Sequence, residues 1–566
     1  MAYTKNKIYD RREFLKWIGA TGTAALTLNA PPIVGATPKR GGTLNIGTGF
    51  LMQTADPHRY TGFYARQAFA LAWDGLLTPT SLAERYRLLE EHGPDAAIPQ
   101  VKPMLADSWE TDKNGSRYVF HLKKGVQFHN GKEFDSEDVK WSWLRIKDPI
   151  CQSGTRKFLT LFLDSIETPD KYTVVANLSQ PYGAFLMANT WCYTIMLPKD
   201  SIPPKTIWGE TPTFKPATPA PPGTGPFRIT EFQQNYQAIF ERFENYRIKD
   251  LPYLDKVVFK IMTQDGPRTM ALRAGNIDCT YRVDEAWLAT KLKGKPINTP
   301  HHLKDEKLTL WPAIFPTTYT TLLNSHPEKD TPFKDERVRQ ALAYCIDQEA
   351  IAKALYGELG IPMHQTYNPD ISAWGYRYIK GRKRDISKAR ALLKEAGYPN
   401  GLDVDFLVNP VFGRNDLRAQ IIQQMAKPAG FRIKIITQIG VQVSASARTY
   451  AYQMMTAAIG GEDPMNFYYD QLRTDPAPPA NGYSPRLGIK DPEMDRLLDL
   501  VASEPDHQQR KAIFKKAVQR TIDKAYIIHN NQAITAFTWS DKLQNFHPWN
   551  YYQGEQAFAE TWIEDV

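Results

Sequence analysis

The hydrophobic pattern of this 566-residue chain changes character once, between about residues 310 and 330, and this change limits the folds open to it. Before it, short alternating segments such as 118–122 and 256–262 predict strands separated by turns. After it, helical and strand patterns alternate, as in a helix over 415–426 followed by a strand over 431–438. A strand pattern returns at 527–538, after a helix over 506–524. The order predicts a β-rich first part, an α/β second part and a final strand region that resembles the first part.

Local signals sharpen several of these elements. Asn130 followed by glycine predicts a hairpin turn, and Asp135 or Ser136 is suited to cap a helix that begins near 136. Apolar residues at helical spacing over 335–356, with Gly357 as a stop, predict one long helix.

The first 36 residues have the features of an export signal. Arg11 and Arg12 precede a mildly apolar stretch diluted by glycine and threonine, and small residues at 34–36 offer a cleavage site near Ala36. This pattern resembles a twin-arginine signal peptide, which predicts a periplasmic protein exported by the twin-arginine translocase. The alternative is a short amphipathic anchoring helix. No cysteine lies near the cleavage site, so a lipid anchor is not expected.

Charge and cysteine content exclude several classes of protein. The formal charge is +9, and loss of five basic and two acidic residues with the signal leaves +6, which does not indicate a nucleic-acid-binding surface. There is no apolar run of 18 residues. Among the four cysteines, Cys151 and Cys192 could pair in an oxidising compartment, and Cys345 is expected as a buried thiol in a helix. No C-x-x-C spacing occurs, and the pair His301 and His302 is better explained as a loop than as a metal site.

The order of motifs along the chain carries a family resemblance. The motifs are PMLADSWE at 103–110, YVFHLKKGVQFHNG at 118–131, EDV at 137–139, GTGPF at 223–227, AGNID at 274–278, PFKDERVRQAL at 332–342 and ARALLKEAGY at 389–398. In this order they resemble the family 5 extracellular solute-binding proteins, the peptide- and nickel-binding components of bacterial ABC importers. The resemblance covers nearly all of residues 40–560.

The resemblance implies an α/β fold, namely the two-lobed periplasmic-binding-protein fold (class II-like, cluster C). Lobe I is expected to span 37–310, with an extra β-rich subdomain at about 90–220, and lobe II to span 311–530. Residues 531–566 are expected to return to lobe I. The implied protein is a monomer without a cofactor that encloses a ligand by hinge closure and delivers it to an ABC permease and ATPase.

The strand ending near 460 is the most informative candidate for the ligand site. In peptide-binding relatives this strand end supplies backbone groups and an Asp for the peptide amine, and that Asp aligns here with Gly460. We therefore expect Ala458 and Gly460 to line the site, with Glu462 or Asp463 supplying a charge. The alternative for Asp463, which precedes a proline, is a turn. Arg414 is the candidate for a ligand carboxylate, and a solvated surface arginine is its alternative.

Aromatic residues in loop-like segments complete the candidate set. They are Phe50, Tyr60, Trp191, Trp374 and Tyr483. Each could stack on a ligand, and for each one core packing is the alternative.

Three classes of function remain open. An oligo- or dipeptide is the expected ligand, and the missing Asp at 460 gives weight to an oligosaccharide, an opine-like compound or a metal chelate. A secreted enzyme is disfavoured because G-x-S-x-G, H-E-x-x-H and an appropriately placed G-x-G-x-x-G are absent. A sensor or chaperone that uses the same cleft is the third class.

Overall fold

The computed structural model describes most of the chain beyond the predicted export signal. The described residues are 37–49, 52, 54–58, 68–80, 84, 88, 91–92, 100–151, 153, 155–190, 193–202, 220–293, 295, 300–314, 317–369, 372, 374–376, 379, 381–410, 413–439, 441–461, 463–474, 487–546 and 558–564. The predicted export signal and its cleavage site lie outside them.

Strands and helices are numbered separately, in chain order. The strands are β1 (Thr43–Thr48), β2 (Leu77–Pro79), β3 (Val101–Pro103), β4 (Ala106–Thr111), β5 (Arg117–Leu122), β6 (Leu163–Asp170), β7 (Thr173–Leu178), β8 (Phe227–Gln233), β9 (Gln237–Arg242), β10 (Lys256–Ile261), β11 (Cys279–Thr280), β12 (His301–Leu303), β13 (Leu308–Ile314), β14 (Thr317–Leu323), β15 (Gly360–Pro362), β16 (Leu402–Val408), β17 (Phe431–Thr437), β18 (Met454–Gly460), β19 (Ile527–Ser540), β20 (Leu543–Gln544) and β21 (Trp562–Ile563). The helices are α1 (Ser136–Lys147), α2 (Arg156–Thr160), α3 (Phe185–Ala188), α4 (Asp265–Arg273), α5 (Glu285–Leu292), α6 (Glu336–Cys345), α7 (Gln348–Tyr356), α8 (Ile386–Glu395), α9 (Asn415–Ala426), α10 (Val441–Thr449), α11 (Tyr468–Leu472), α12 (Pro492–Ser503) and α13 (His507–Asp523).

One long strand, β19, belongs to the sheets of both lobes. The main path of the sheet is β17-β16-β18-β14-β19-β11-β1-β10-β9-β8. The first part of β19 pairs with β14, and the part from Ile534 to Ser540 pairs with β13. The chain therefore crosses between the two halves of the sheet twice. The first crossing lies between β13 and β14, and the second lies within β19. This arrangement is the predicted two-lobed α/β fold.

The predicted β-rich subdomain is a separate four-stranded sheet in the order β4-β5-β7-β6, packed against α1. Asp135 caps α1 by accepting hydrogen bonds from the backbone N–H groups of Glu137 and Asp138, as expected for a helix N-terminus. The side chains of Phe120 and Trp143 are fully buried between sheet and helix, with ring centroids 6.0 Å apart.

Two of the family motifs meet in space although they are far apart in the chain. His129 Nδ1 accepts a hydrogen bond from the Gly223 N–H (3.1 Å), and His129 Nε2 lies 3.0 Å from the Gly225 carbonyl oxygen. A Cβ on Gly223 would lie 1.8 Å from the carbonyl oxygen of Ala72, so only glycine allows this close approach of two backbones. The motif glycines thus fix a loop against the core of lobe I.

The single helix predicted over 335–356 is wrong, because the structure has two helices there. Ile346 is extended (φ −89°, ψ 135°), and the side chain of Asp347 caps α7 by accepting from the Ala350 N–H. The helical spacing of apolar residues continues across the break, which is why periodicity alone missed it. The cap gives the backbone N–H groups of α7 a partner that a continuous helix would not need.

The described cysteines are buried. Cys345 lies in α6 as expected and its thiol contacts the Ala341 carbonyl oxygen at 3.2 Å, and Cys279 is buried in β11. Cys192 lies outside the described residues, so its pairing with Cys151 stays a prediction. Among the described helices, none has the length and hydropathy that crossing a bilayer requires.

Candidate functional site

The middle of β19, where the chain passes from one lobe to the other, is polar and buried. Residues 529–532 are His-Asn-Asn-Gln, and each is at most 3% exposed. A central strand is normally apolar, so these groups need internal partners. His529 Nε2 lies 3.0 Å from Thr366 Oγ1, and Asn531 Oδ1 accepts from Arg418 Nε at 3.0 Å. The polar strand therefore forms part of the wall between the lobes.

A chain of alternating charges extends from lobe I to lobe II beside this strand. Arg268 is fully buried and pairs with Asp265, whose other oxygen is 2.9 Å from Arg282 Nε. Arg282 Nη2 lies 3.6 Å from Glu285 Oε1, and Glu285 Oε2 accepts from Arg414 Nε at 2.6 Å. The last of these pairs joins the lobes, because Glu285 begins α5 in lobe I and Arg414 precedes α9 in lobe II.

The charge network is largely shielded from solvent. The side chains of Arg282 and Glu285 are 17% and 15% exposed, whereas that of Arg414 is 34% exposed. Burial raises the pKa of Glu285 above its ordinary value, although the guanidinium groups of Arg282 and Arg414 act in the opposite direction. Coulombic interactions are stronger in such a setting than at the surface, so the charges here are sensitive to the charge of a ligand.

Arg418, one turn along α9 from Arg414, is fully buried and surrounded by neutral groups. Its guanidinium donates to Asn531 Oδ1 and to the Gly413 carbonyl oxygen (2.8 Å), pairs with Asn415 Oδ1 and lies 4.3 Å from the Tyr319 ring centroid. Among the described residues no carboxylate pairs with Arg418. With the network, the region contains four arginines and three carboxylates, those of Asp265, Asp284 and Glu285, which leaves a surplus of one positive charge.

The predicted strand end lies beside this cluster. In the register of β18 with β14, Ala458 is opposite Tyr319 and Gly460 is opposite Thr317. Ala458 and Gly460 are both partly exposed, while Ala457 and Ile459 between and beside them are buried. The Tyr319 ring against Arg418 thus connects the strand end to the buried arginine. The structure brings Ala458, Gly460 and Arg414 into one region.

Two other predicted site residues, Trp374 and Asp463, contact α13 of lobe II. Trp374 is 2% exposed, its ring centroid is 5.9 Å from that of Phe514, and the Arg510 guanidinium lies 5.1 Å from the Trp374 ring. Both carboxylate oxygens of Asp463 accept from Arg510, at 2.6 and 2.7 Å, and Asp463 also caps the turn that follows by accepting from Met465 N–H. In this structure both side chains pack inside lobe II.

The remaining predicted site residues lie outside the described residues. They are Phe50, Tyr60, Trp191, Glu462 and Tyr483. Their proposed ligand contacts stay predictions.

Sequence reasoning missed Arg282, Glu285 and Arg418. Arg282 and Glu285 follow the AGNID motif closely, and Arg418 stands four residues after Arg414, a spacing that places both on one side of a helix. Those spacings and the polar run at 529–532 within a strand pattern were the available signals. Within the described ranges, no group of three or more His, Cys, Asp or Glu side chains is arranged to hold a metal ion.

The sequence of this chain matches a known protein family. Residues 100–478 match the profile described as Bacterial extracellular solute-binding proteins, family 5 Middle. The heme-binding protein A of Haemophilus influenzae is 28% identical over 453 residues, covering 76% of this chain and 77% of that protein. The dipeptide-binding protein of Escherichia coli is 27% identical over 441 residues, covering 74% of this chain and 78% of that protein.

A solved structure shares the same architecture. The periplasmic binding protein DppA of Helicobacter pylori, in complex with the peptide STSA, has a TM-score of 0.76 and 23% identity. The similarity covers 93% of this chain and 99% of that one. At this level of identity the likeness shows the fold.

Proposed function

The chain belongs to the family 5 bacterial extracellular solute-binding proteins, and we propose that it captures a small peptide between its lobes and delivers it to an ABC permease. Proteins of this family bind substrates, and we infer a binding role here instead of a secreted enzyme. The partners proposed are the permease and its ATPase, since the chain has no nucleotide-binding G-x-x-x-x-G-K-[ST] motif.

One observation carries the proposal: the charged groups of the candidate site come from both lobes. Glu285 of lobe I and Arg414 of lobe II contact each other at 2.6 Å, beside the partly exposed strand end at Ala458 and Gly460. A ligand that contacts such groups on both sides gains its full binding energy only when the lobes are closed.

The charge of the site supports a ligand with an acidic group. The surplus of guanidinium groups around Arg414 and Arg418 favours a carboxylate, which every free peptide has at its C-terminus. Gly460 stands where peptide-binding relatives have an Asp for the amine. An acidic ligand without a free primary amine, such as an opine-like compound or a metal chelate with carboxylates, is therefore the second candidate. The heme-binding relative adds heme to the chelates worth testing.

A titration panel would separate these ligands. The mature protein would be titrated by calorimetry with a dipeptide, a tetrapeptide, the amide of each, an oligosaccharide and heme. We expect micromolar or tighter binding of a free peptide and weaker binding of its amide. Binding of only the oligosaccharide, or of only heme, would contradict the peptide proposal.

Closure can be tested independently of ligand identity by small-angle scattering. A ligand found in the panel should reduce the radius of gyration, because both lobes contact it. An unchanged radius in the presence of a saturating ligand would contradict the hinge mechanism.

We also propose that the protein is exported by the twin-arginine translocase and acts as a periplasmic monomer. The proposed units are a signal at 1–36, lobe I over 37–310 with the subdomain at about 90–220, lobe II over 311–530, and 531–566 in lobe I. Replacing Arg11 and Arg12 with lysine should block export, and N-terminal sequencing of the exported protein should begin near residue 37. Export of the double variant at the normal level would contradict this route.

A further inference from the structure

A strip of cations lies on the surface of lobe II, beside α13. Tyr376 Oη donates to the carbonyl oxygen of Lys511 in α13 at 2.7 Å, and Arg382 Nη2 donates to that of Asp523 at 2.5 Å. These contacts lie twelve residues apart on the helix, which corresponds to about 18 Å. Tyr376 and Arg382 therefore contact α13 at two points along its length, and the basic residue Arg382 lies beside the end of the helix.

The cations are held close together in two groups. Lys511 Nζ and Lys515 Nζ lie 6.0 and 5.9 Å from the centroid of the Tyr376 ring. Arg382 Cζ and Lys388 Nζ lie 5.5 and 4.5 Å from the centroid of the Tyr344 ring. We call the set the lobe II basic strip, and its members are Arg382, Lys383, Arg384, Lys388, Lys511 and Lys515.

The strip has more cations than carboxylates. Lys383, Arg384, Lys388 and Lys515 are exposed, and none of them forms an ion pair with a carboxylate of the described residues. Three carboxylates lie in these segments: Asp385, which caps α8 through the Lys388 backbone N–H, Asp523, which accepts from Gln519, and Asp347, which lines a groove together with Arg384. Six cations within this short distance repel one another and attract a multivalent anion or an anionic surface.

An apolar groove continues from the strip. It has a volume of about 620 Å³ and lies between α7 and α9, with Arg384 at its edge. Its lining includes Leu417, Ile421 and Met425, and Leu417 is 41% exposed. The surface therefore combines positive charge with adjacent exposed apolar side chains, a combination that suits the interface of a bilayer.

We propose that the lobe II basic strip binds the anionic phospholipid headgroups of the membrane in which the permease resides. The proposal rests on the periplasmic role proposed above and goes beyond it, because it assigns a second binding partner, the membrane, to a different set of charged residues. Each cation near an anionic leaflet contributes about a fivefold gain in membrane partitioning. Lipid contact through this strip would keep the loaded protein near its permease.

The test compares two triple variants of the mature protein. One replaces Lys383, Lys388 and Lys515 with glutamine. The matched control replaces Lys249, Lys293 and Lys304 with glutamine, which removes the same charge from exposed positions of lobe I. Binding is measured by co-sedimentation with vesicles of phosphatidylcholine alone or mixed equally with phosphatidylglycerol, at low and at physiological salt.

We expect the parent protein and the control to bind the phosphatidylglycerol vesicles, and the strip variant to bind about a hundredfold more weakly. Equal losses in both variants, or no binding of the parent at low salt, would overturn the proposal. Loss of binding on addition of millimolar inorganic phosphate at constant ionic strength would also overturn it, because the strip would then be a site for single phosphate groups. Ligand affinity measured on the same variants should be unchanged, so failure here is distinguishable from failure of the transport proposal.

Discussion

Two of the regions in which the lobes contact each other contain a buried arginine of lobe II. At the subdomain contact, the Gly183 N–H donates to the Ala502 carbonyl oxygen at 2.9 Å, and Arg510 lies behind this contact. At the polar contact beside β19, Arg418 lies behind the pair formed by Glu285 and Arg414. The two arginines are equally inaccessible but differ in their counter-charge.

Arg510 has a full partner. Asp463 accepts two hydrogen bonds from its guanidinium, and the Val501 carbonyl oxygen accepts a third at 2.8 Å. Burial, and then the nearby Asp463 carboxylate, raise the pKa of Tyr182 well above its usual range, so the subdomain packs close to this ion pair. The charges of this region are balanced without a ligand.

Arg418 has only neutral partners in the part of the chain that the structure describes, chiefly Asn415, Asn531 and the Gly413 carbonyl oxygen. The comparison indicates that the subdomain contact stabilises the fold, whereas the polar contact keeps positive charge available for a ligand. Substitutions in the first region should change the free energy of unfolding, and substitutions in the second should change ligand affinity.

The largest effect is expected for Asp463→Asn. It leaves Arg510 buried without a counter-charge, which should lower the free energy of unfolding by about 3–5 kcal/mol. Urea denaturation followed by circular dichroism measures this. The double variant Asp463→Leu with Arg510→Met should recover most of the loss, because it removes both charges. A loss below about 1 kcal/mol for the single variant would contradict the structural role assigned to this ion pair, since the pair would then not stabilise the subdomain contact.

Acidification should act on the polar contact through His529. Burial, and then the neighbouring His364, lower the pKa of His529 from 6.5 to about 3. The unfolded chain therefore takes up the proton first, so this stability is complete above pH 6.5 and is lost as the pH falls toward 3. At pH 4 the loss is on the order of 3 kcal/mol.

The measurement is the free energy of unfolding between pH 7 and pH 4 for the parent and for His529→Gln. The variant should show a shallower decline, even if it is less stable at pH 7. Parallel declines in the two proteins would contradict the assignment of the acid sensitivity to the polar contact.

Gly183→Val tests the subdomain contact by steric overlap. A Cβ at this position would lie 2.3 Å from the Glu504 carbonyl oxygen, so the two surfaces must separate, at a cost of about 1–3 kcal/mol. We expect a larger radius of gyration in small-angle scattering and weaker ligand binding. Gly266→Ala is the control, because an added Cβ there meets no atom within 4 Å. An unchanged radius for Gly183→Val would show that the subdomain contact does not hold the lobes together.

Sequence patterns predicted most of the fold because its elements have clear periods and caps. The predicted helix over 415–426 matches α9 at both ends, and the predicted strand over 431–438 matches β17 to within one residue. Periodicity could not show the break before α7, since the apolar spacing continues through Ile346 while the cap formed by Asp347 ends the run. The helix cap formed by Asp347 therefore sets the boundary between the two helices, although the apolar spacing continues across it.

The site was less predictable because its contacts join distant parts of the chain. The resemblance pointed to Arg414, but its partner Glu285 lies in the other lobe, and no local pattern links the two. Asp463 was expected near the ligand, and its partner Arg510 stands 47 residues further along the chain. The sequence alone does not show that this distant arginine binds Asp463.

Glu285→Gln should have the smallest effect and is the most direct test of the polar contact. It removes one negative charge from a region that already has a positive surplus and leaves Arg414 without its partner. A peptide with a free carboxylate should then gain affinity relative to its amide, by about fivefold, which corresponds to about 1 kcal/mol for a partly exposed pair. Calorimetry with both forms of the peptide gives the ratio directly. Glu328→Gln is the control, because the Glu328 side chain is 78% exposed and its ion-pair partner is Lys490, and it should leave the ratio unchanged. If Glu285→Gln also leaves the ratio unchanged, the surplus charge does not act on the ligand, and Arg418 would have the same structural role as Arg510.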